Sequence, residues 1–166
     1  MSTLTTFLFT PLSPTINHTI PYILTNWTFS YLVLASRHWK QYYGFDHNES
    51  PRYDIQEYGE RMVREGKLTK RQLDRVKRVQ SASSNSVEHF GFFMGCIILA
   101  QQANLPIHTI NTFGLSYNLA RIGYGFAYTF MERRNTSILR TVFWWWGNVS
   151  CIGILLKVGK ALNGGA

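Results

Sequence analysis

The chain has 166 residues, 45% of them hydrophobic, and its seventeen Lys and Arg against nine Asp and Glu leave a formal charge of +8. That length fits one domain spanning residues 1–166, and that charge invites a nucleic-acid reading. The distribution excludes it: long charge-free stretches alternate with short charged ones, where a nucleic-acid domain spreads its basic residues over a folded face that carries other charges.

No Lys or Arg precedes Arg37. The first nineteen residues lack a basic n-region and a small-residue cleavage site, so a cleaved signal peptide is not expected. A first apolar span, "IPYILTNWTFSYLVLA", covers about residues 20–35. The stretch from Arg37 to Arg78 then holds eleven of the seventeen basic residues and seven of the nine acids. It breaks at Gly66. From Thr69, a candidate N-cap, helical spacing continues without a breaker. This predicts one helix of about 30 residues that starts outside the bilayer and runs into it as the second span, about 81–101.

A short turn, "ANLPIH", leads to a third span over about 107–130, which contains Asn111, Asn118 and Arg121. A second turn, "MERRNTS", leads to a fourth over about 139–158, with the aromatic run "FWWWG" followed by "CIGILLKVG". Spans of roughly 20 residues suit a hydrocarbon core. Trp27 and Trp144 to Trp146 fit the interfacial preference of aromatic side chains. Short connections make neighbouring helices antiparallel, so the expected fold is all-α: a membrane-embedded, up-down four-helix bundle.

The basic residues of the 37–78 loop and of the Arg133/Arg134 turn fall on one side of such a bundle. The positive-inside rule puts that side in the cytosol and both termini in the lumen or outside. Asn17, in "NHT", is then a lumenal glycosylation sequon, whereas Asn48 and Asn135 face the cytosol. Cys96 and Cys151 lie within apolar spans without metal-ligand spacing and read as small buried hydrophobes.

A carboxylate inside a membrane helix costs a few kcal/mol unless it is paired, so Glu88 marks a candidate site. Arg78, Ser81, Asn85 and Glu88 follow steps of three, four and three, which is one helical face. Arg121, Tyr124 and Tyr128 follow steps of three and four on the third span. Two such faces turn toward each other or toward a neighbouring subunit. Pairing Glu88 with Arg121 is the simplest internal arrangement, and as a purely structural ion pair it would fix helix register. It leaves Asn85, Tyr124 and Tyr128 unexplained; together these groups suit a small zwitterionic, polyanionic ligand near the cytosolic surface. By charge alone Arg140 reads as a positive anchor at a helix mouth.

Two segments carry a family resemblance. "VQSASSNSVEHFGFF" resembles a first signature of approximate form Q-R-A-H-x-N-x-x-E-x-x-P-x-F, matched at Gln80, Ala82, Asn85, Glu88 and Phe93. "ARIGYGFAYTF" followed by "LRT" resembles a second, matched at Ala120, Arg121, Tyr124, Tyr128 and Arg140. Both belong to the MAPEG family, the membrane-associated proteins of eicosanoid and glutathione metabolism. The resemblance implies a homotrimer in the endoplasmic reticulum that binds glutathione between subunits, near the cytosolic side, and acts on a small hydrophobic substrate in contact with membrane lipid. By the same resemblance, Arg37, Gln80, Asn85, Glu88, His89, Arg121, Tyr124 and Tyr128 bind glutathione. Arg140 stabilises its thiolate, with Thr141 adding a hydroxyl. The chain departs from the pattern at Ser81 and Ser83, where the signature has arginine and histidine, and at Gly91, where it has proline. The implied activity is glutathione transfer, peroxide reduction or thiol-assisted isomerisation. The alternative is a non-catalytic scaffold that binds lipid and presents it to a partner, with no nucleic acid involved in either case.

Overall fold

The computed structural model describes residues 16–164, leaving out the side chains of residues 134 and 135. The segment before residue 16, on which the signal-peptide expectation rests, lies outside the described residues.

Helix α1 spans Thr19–Thr28, with Pro21 in its first turn, where a missing N–H costs nothing. It runs on as one π-helical turn, Phe29–Val33, closed by the Leu34 amide on the Phe29 carbonyl at 3.0 Å. Short helices follow in the charged stretch: α2 (Ser36–Tyr42), α3 (Asp54–Glu57) and α4 (Gly59–Arg64). Gly66, at φ 71°, turns the chain after α4 in a conformation that only glycine adopts freely. The expected break at Gly66 is therefore present.

Helix α5, Lys70–Gln102, is 33 residues long. Thr69 caps it in a reciprocal capping box with Gln72, satisfying two otherwise orphaned backbone donors. At about 1.5 Å per residue α5 reaches roughly 50 Å, well beyond the roughly 30 Å of a bilayer core. The single long helix read from Thr69 onward is observed. A turn over residues 103–106 leads to α6 (Ile107–Phe130), and a second turn leads to α7 (Arg134–Leu162), which extends beyond both expected ends of the fourth span.

Helices α5, α6 and α7 pack on one another, and α1 lies against α5 and α6. Phe93, Ile97, Phe113, Tyr117, Cys151 and Ile154 fill the seam among α5, α6 and α7. Gly125 lets α1 approach: a Cβ there would stand 2.7 Å from Phe29 and 2.8 Å from Leu34. Both cysteines are buried and free, as expected of small apolar side chains. Facing outward are Leu24, Ile98, Phe126, Val149 and Leu156, a surface suited to hydrocarbon rather than water. Among the described residues, Thr136–Leu162 is the one helix long and apolar enough to cross a membrane by length and composition. Helices α5 and α6 carry more of the charged and polar residues, several of which line the cavities below.

The charged stretch folds into a cap. Phe45, Ile55, Leu68, Leu73 and Val76 make a second core that seats the loop on the first turns of α5. Beneath it Lys40, 2% exposed, pairs with Asp54, 1% exposed, at 2.9 Å. Sequence reading anticipated neither the cap nor its buried ion pair.

Candidate functional site

Two cavities lie along α5, and the residues lining one are all different from those lining the other. Between them they hold most of the predicted site residues.

The first, of about 440 Å³, opens between the cap and α5. Arg37, Lys40 and Arg52 line it from the cap, and Gln80, Ser83 and Glu88 from α5. Arg37 donates to Asp46 Oδ2 and Asn48 Oδ1, both at 2.9 Å. Gln80 Oε1 is buried without a donor among the described residues, an acceptor whose hydrogen-bonding capacity is unused there. Glu88 is exposed and forms no ion pair with any described residue.

The second, of about 340 Å³, is enclosed by Asn85 of α5, Tyr124 and Tyr128 of α6, and Arg140, Thr141, Trp144 and Trp145 of α7. The Tyr124 and Tyr128 rings are 4.7 Å apart, and the Arg140 guanidinium carbon stands 4.8 Å above the Tyr128 ring. Arg140 also donates to the Met131 carbonyl, while its Nε is buried with no acceptor among the described residues. A permanent cation held over an aromatic face on a cavity wall suits an anion.

Beside this cavity, the turn between α6 and α7 is tied to α5. Glu132 takes Arg71 Nε at 2.6 Å, Arg78 Nη2 at 3.0 Å and Arg75 Nη2 at 3.5 Å. The Arg71 hydrogen bond does most to hold the Glu132 carboxyl below the ordinary carboxylate range. Arg78 Nε also donates to the Tyr128 carbonyl at 3.2 Å. Arg78 is thus engaged at the rim and turned away from both cavities.

The expected pairing of Glu88 with Arg121 does not form. Arg121 is 1% exposed and donates Nη2 to Asn85 Oδ1 at 3.0 Å and to Ser86 Oγ at 2.9 Å. Its guanidinium carbon lies 4.5 Å over the Tyr124 ring. Helix α5 rotates Asn85 and Ser86 toward α6 and leaves Glu88 on the flank that meets the cap. Neutral oxygens and an aromatic face, rather than a carboxylate, solvate the buried cation. Arg121 stands behind the second cavity and orients Asn85 without lining it.

His89 lines neither cavity; its ring meets Trp144 edge-on at 6.1 Å, and its carbonyl accepts the Tyr117 hydroxyl at 3.3 Å. Ser81 is exposed and donates to the Lys77 carbonyl of its own helix at 3.1 Å. Sequence reading treated Trp144 and Trp145 only as interfacial anchors, yet they form a wall of the second cavity. It did not single out Lys40 or Arg52 at all. Nothing local marks those two within a run of eleven basic residues.

The chain matches the family model described as MAPEG family over residues 19–160. No curated protein and no solved structure matches it.

Proposed function

The chain belongs to the MAPEG family, and from that membership we propose that it is a glutathione-dependent membrane enzyme acting on a small hydrophobic electrophile. The family is membrane-bound, and it includes glutathione transferases as well as non-catalytic members. The observation that carries the catalytic reading is Arg140, seated over Tyr128 beside Thr141 on the wall of the second cavity, its buried Nε without a partner among the described residues.

Glutathione would supply the nucleophilic thiol. The side chains fit that group: Gln80 Oε1 and Arg140 Nε are buried polar atoms with no partner among the described residues, one an acceptor and the other a permanently charged donor. The Arg140 guanidinium does not deprotonate, and it favours the charged over the neutral form of a sulfur beside it. The Thr141 hydroxyl adds a donor on the same cavity wall. Asn85, fixed by Arg121, and the two tyrosines orient polar groups, while Trp144 and Trp145 keep water from one side.

Two separate linings along one helix support a site shared between copies. In this reading the Arg37–Gln80–Glu88 cavity of one subunit completes the Asn85–Tyr124–Tyr128–Arg140 cavity of the next, in a homotrimer. The four long helices form an up-down bundle in the endoplasmic reticulum membrane, with the cap in the cytosol and both termini in the lumen.

Ser81, which bonds to its own helix, favours the second reading, a lipid-presenting scaffold without glutathione. Glutathione-affinity purification from detergent, followed by a thiolate absorbance titration, separates the two. Retention on the column and a bound thiol that ionises well below its free value are expected. No retention and no thiolate signal would exclude the enzyme.

A further inference from the structure

The first cavity holds three cations, and two of them are already engaged within the chain. Arg37 is bonded to Asp46 and Asn48. Lys40 lies 2.9 Å from Asp54 and 3.3 Å from Asp46, and it also donates to the Pro51 carbonyl. Arg52 has no hydrogen bond, ion pair or ring contact with any described residue, although it lines the same cavity.

The backbone carrying Arg52 is nonetheless held on both sides. Its predecessor, Pro51, is tied to Lys40 through its carbonyl. The Tyr53 amide closes a turn on the Ser50 carbonyl at 2.9 Å. Two residues on, Asp54 is 1% exposed and accepts from the His47 backbone amide as well as from Lys40. A guanidinium without a partner among the described residues therefore stands on a pinned stretch of chain lining a cavity whose one carboxylate, Glu88, forms no ion pair with any described residue. Lys40 and Asp54, together with the apolar contacts of Ile55, hold the 51–54 segment against α5.

We propose that Arg52 is the carboxylate-binding residue of this cavity, holding an acidic peptide thiol in place of the guanidinium absent at Ser81. A planar guanidinium binds a carboxylate through two parallel hydrogen bonds, which neither Ser81 nor the engaged Lys40 can offer. With Glu88 available to an ammonium group, the pair selects a zwitterionic ligand. This inference rests on the glutathione reading above.

The test is binding of glutathione and of its diethyl ester, which keeps the amine and thiol but has neutral carboxyl groups, measured calorimetrically on the purified protein in detergent. The wild type should prefer the acid to the ester. Arg52→Ala should shrink that preference by about tenfold or more, the size expected for losing a charge-assisted hydrogen-bond pair. Arg52→Lys should shrink it less. Because Arg52 makes no hydrogen bond, ion pair or ring contact with any described residue, its variants should keep the wild-type melting temperature. An unchanged acid-over-ester preference in Arg52→Ala, or an equal loss for both ligands, would overturn the subsite alone. A wild type that binds neither ligand would overturn the glutathione reading and the subsite with it.

Discussion

Arg121 Nη2 and Asn85 Oδ1 lie 3.0 Å apart across the α5–α6 seam, and this hydrogen bond, not an ion pair with Glu88, anchors the buried guanidinium. The distinction has a thermodynamic consequence. Asn85→Leu removes one of the two oxygens that solvate a cation 1% exposed, and should cost about 2 kcal/mol, as for a buried charged group left short of a partner. Glu88→Gln changes an exposed group with no partner among the described residues, and should stay within about 0.5 kcal/mol. In thermal denaturation in detergent, Asn85→Leu and Arg121→Leu should combine to less than the sum of their separate effects, while Glu88→Gln and Arg121→Leu should simply add. Coupling in the second pair would restore the ion pair that the geometry rejects.

The cap responds to acid through Asp54. Burial by itself pushes the Asp54 carboxyl up, but Lys40 and the His47 donors outweigh it and hold it below its ordinary value. A depressed carboxylate stabilises the fold fully above its unfolded value, and that stabilisation is lost as pH falls through the folded one. Hydrogen exchange over residues 45–68 should therefore be slow at neutral pH and accelerate as pH drops below the usual carboxylate range. Asp54→Asn should show fast exchange already at neutral pH, with a cost of about 3 kcal/mol, the size expected when one member of a buried pair is removed. Slow exchange in Asp54→Asn at neutral pH would mean that the pair does not hold the cap.

Arg140 is the sharpest probe of the chemistry. Arg140→Leu should move the ionisation of bound glutathione back toward its free value and lower turnover in parallel. Arg140→Lys should keep part of both, because an ammonium supplies the charge without the planar fork. Thiolate absorbance against pH reads the first effect, and initial rates at saturating glutathione read the second. A thiolate unaffected by Arg140→Leu would leave Arg140 as an anchor of the turn through the Met131 carbonyl.

Topology can be tested without a substrate. In sealed microsomes, protease should cut within residues 46–68 while a tag at either terminus stays protected. The charge distribution requires this: eleven basic residues lie between Arg37 and Arg78, and none precedes Arg37. A protected loop would invert the orientation and remove Asn17 from the lumen.

Much of the fold was legible in the sequence because its determinants are local. Thr69 with Gln72 starts α5, Gly66 ends the preceding turn, and the apolar runs bound the remaining long helices to within a few residues, except that α7 extends further at both ends. Each of these signals acts within one or two helical turns. Spacing along α6 likewise put Arg121, Tyr124 and Tyr128 on one face. What spacing could not decide was the rotation of α5 against its neighbours. A shift of one residue turns a helical side chain by about 100°, so the rotation that gives Asn85 and Ser86 to Arg121 also sends Glu88 to the other flank. The cap was equally beyond local reading. Lys40 finds Asp54 fourteen residues away, and Phe45, Ile55, Leu68 and Val76 meet only when the chain has folded back on α5. Local propensity and hydropathy determined which segments are helices. The pairing of buried polar groups, which depends on every neighbouring surface at once, determined which residues face each cavity.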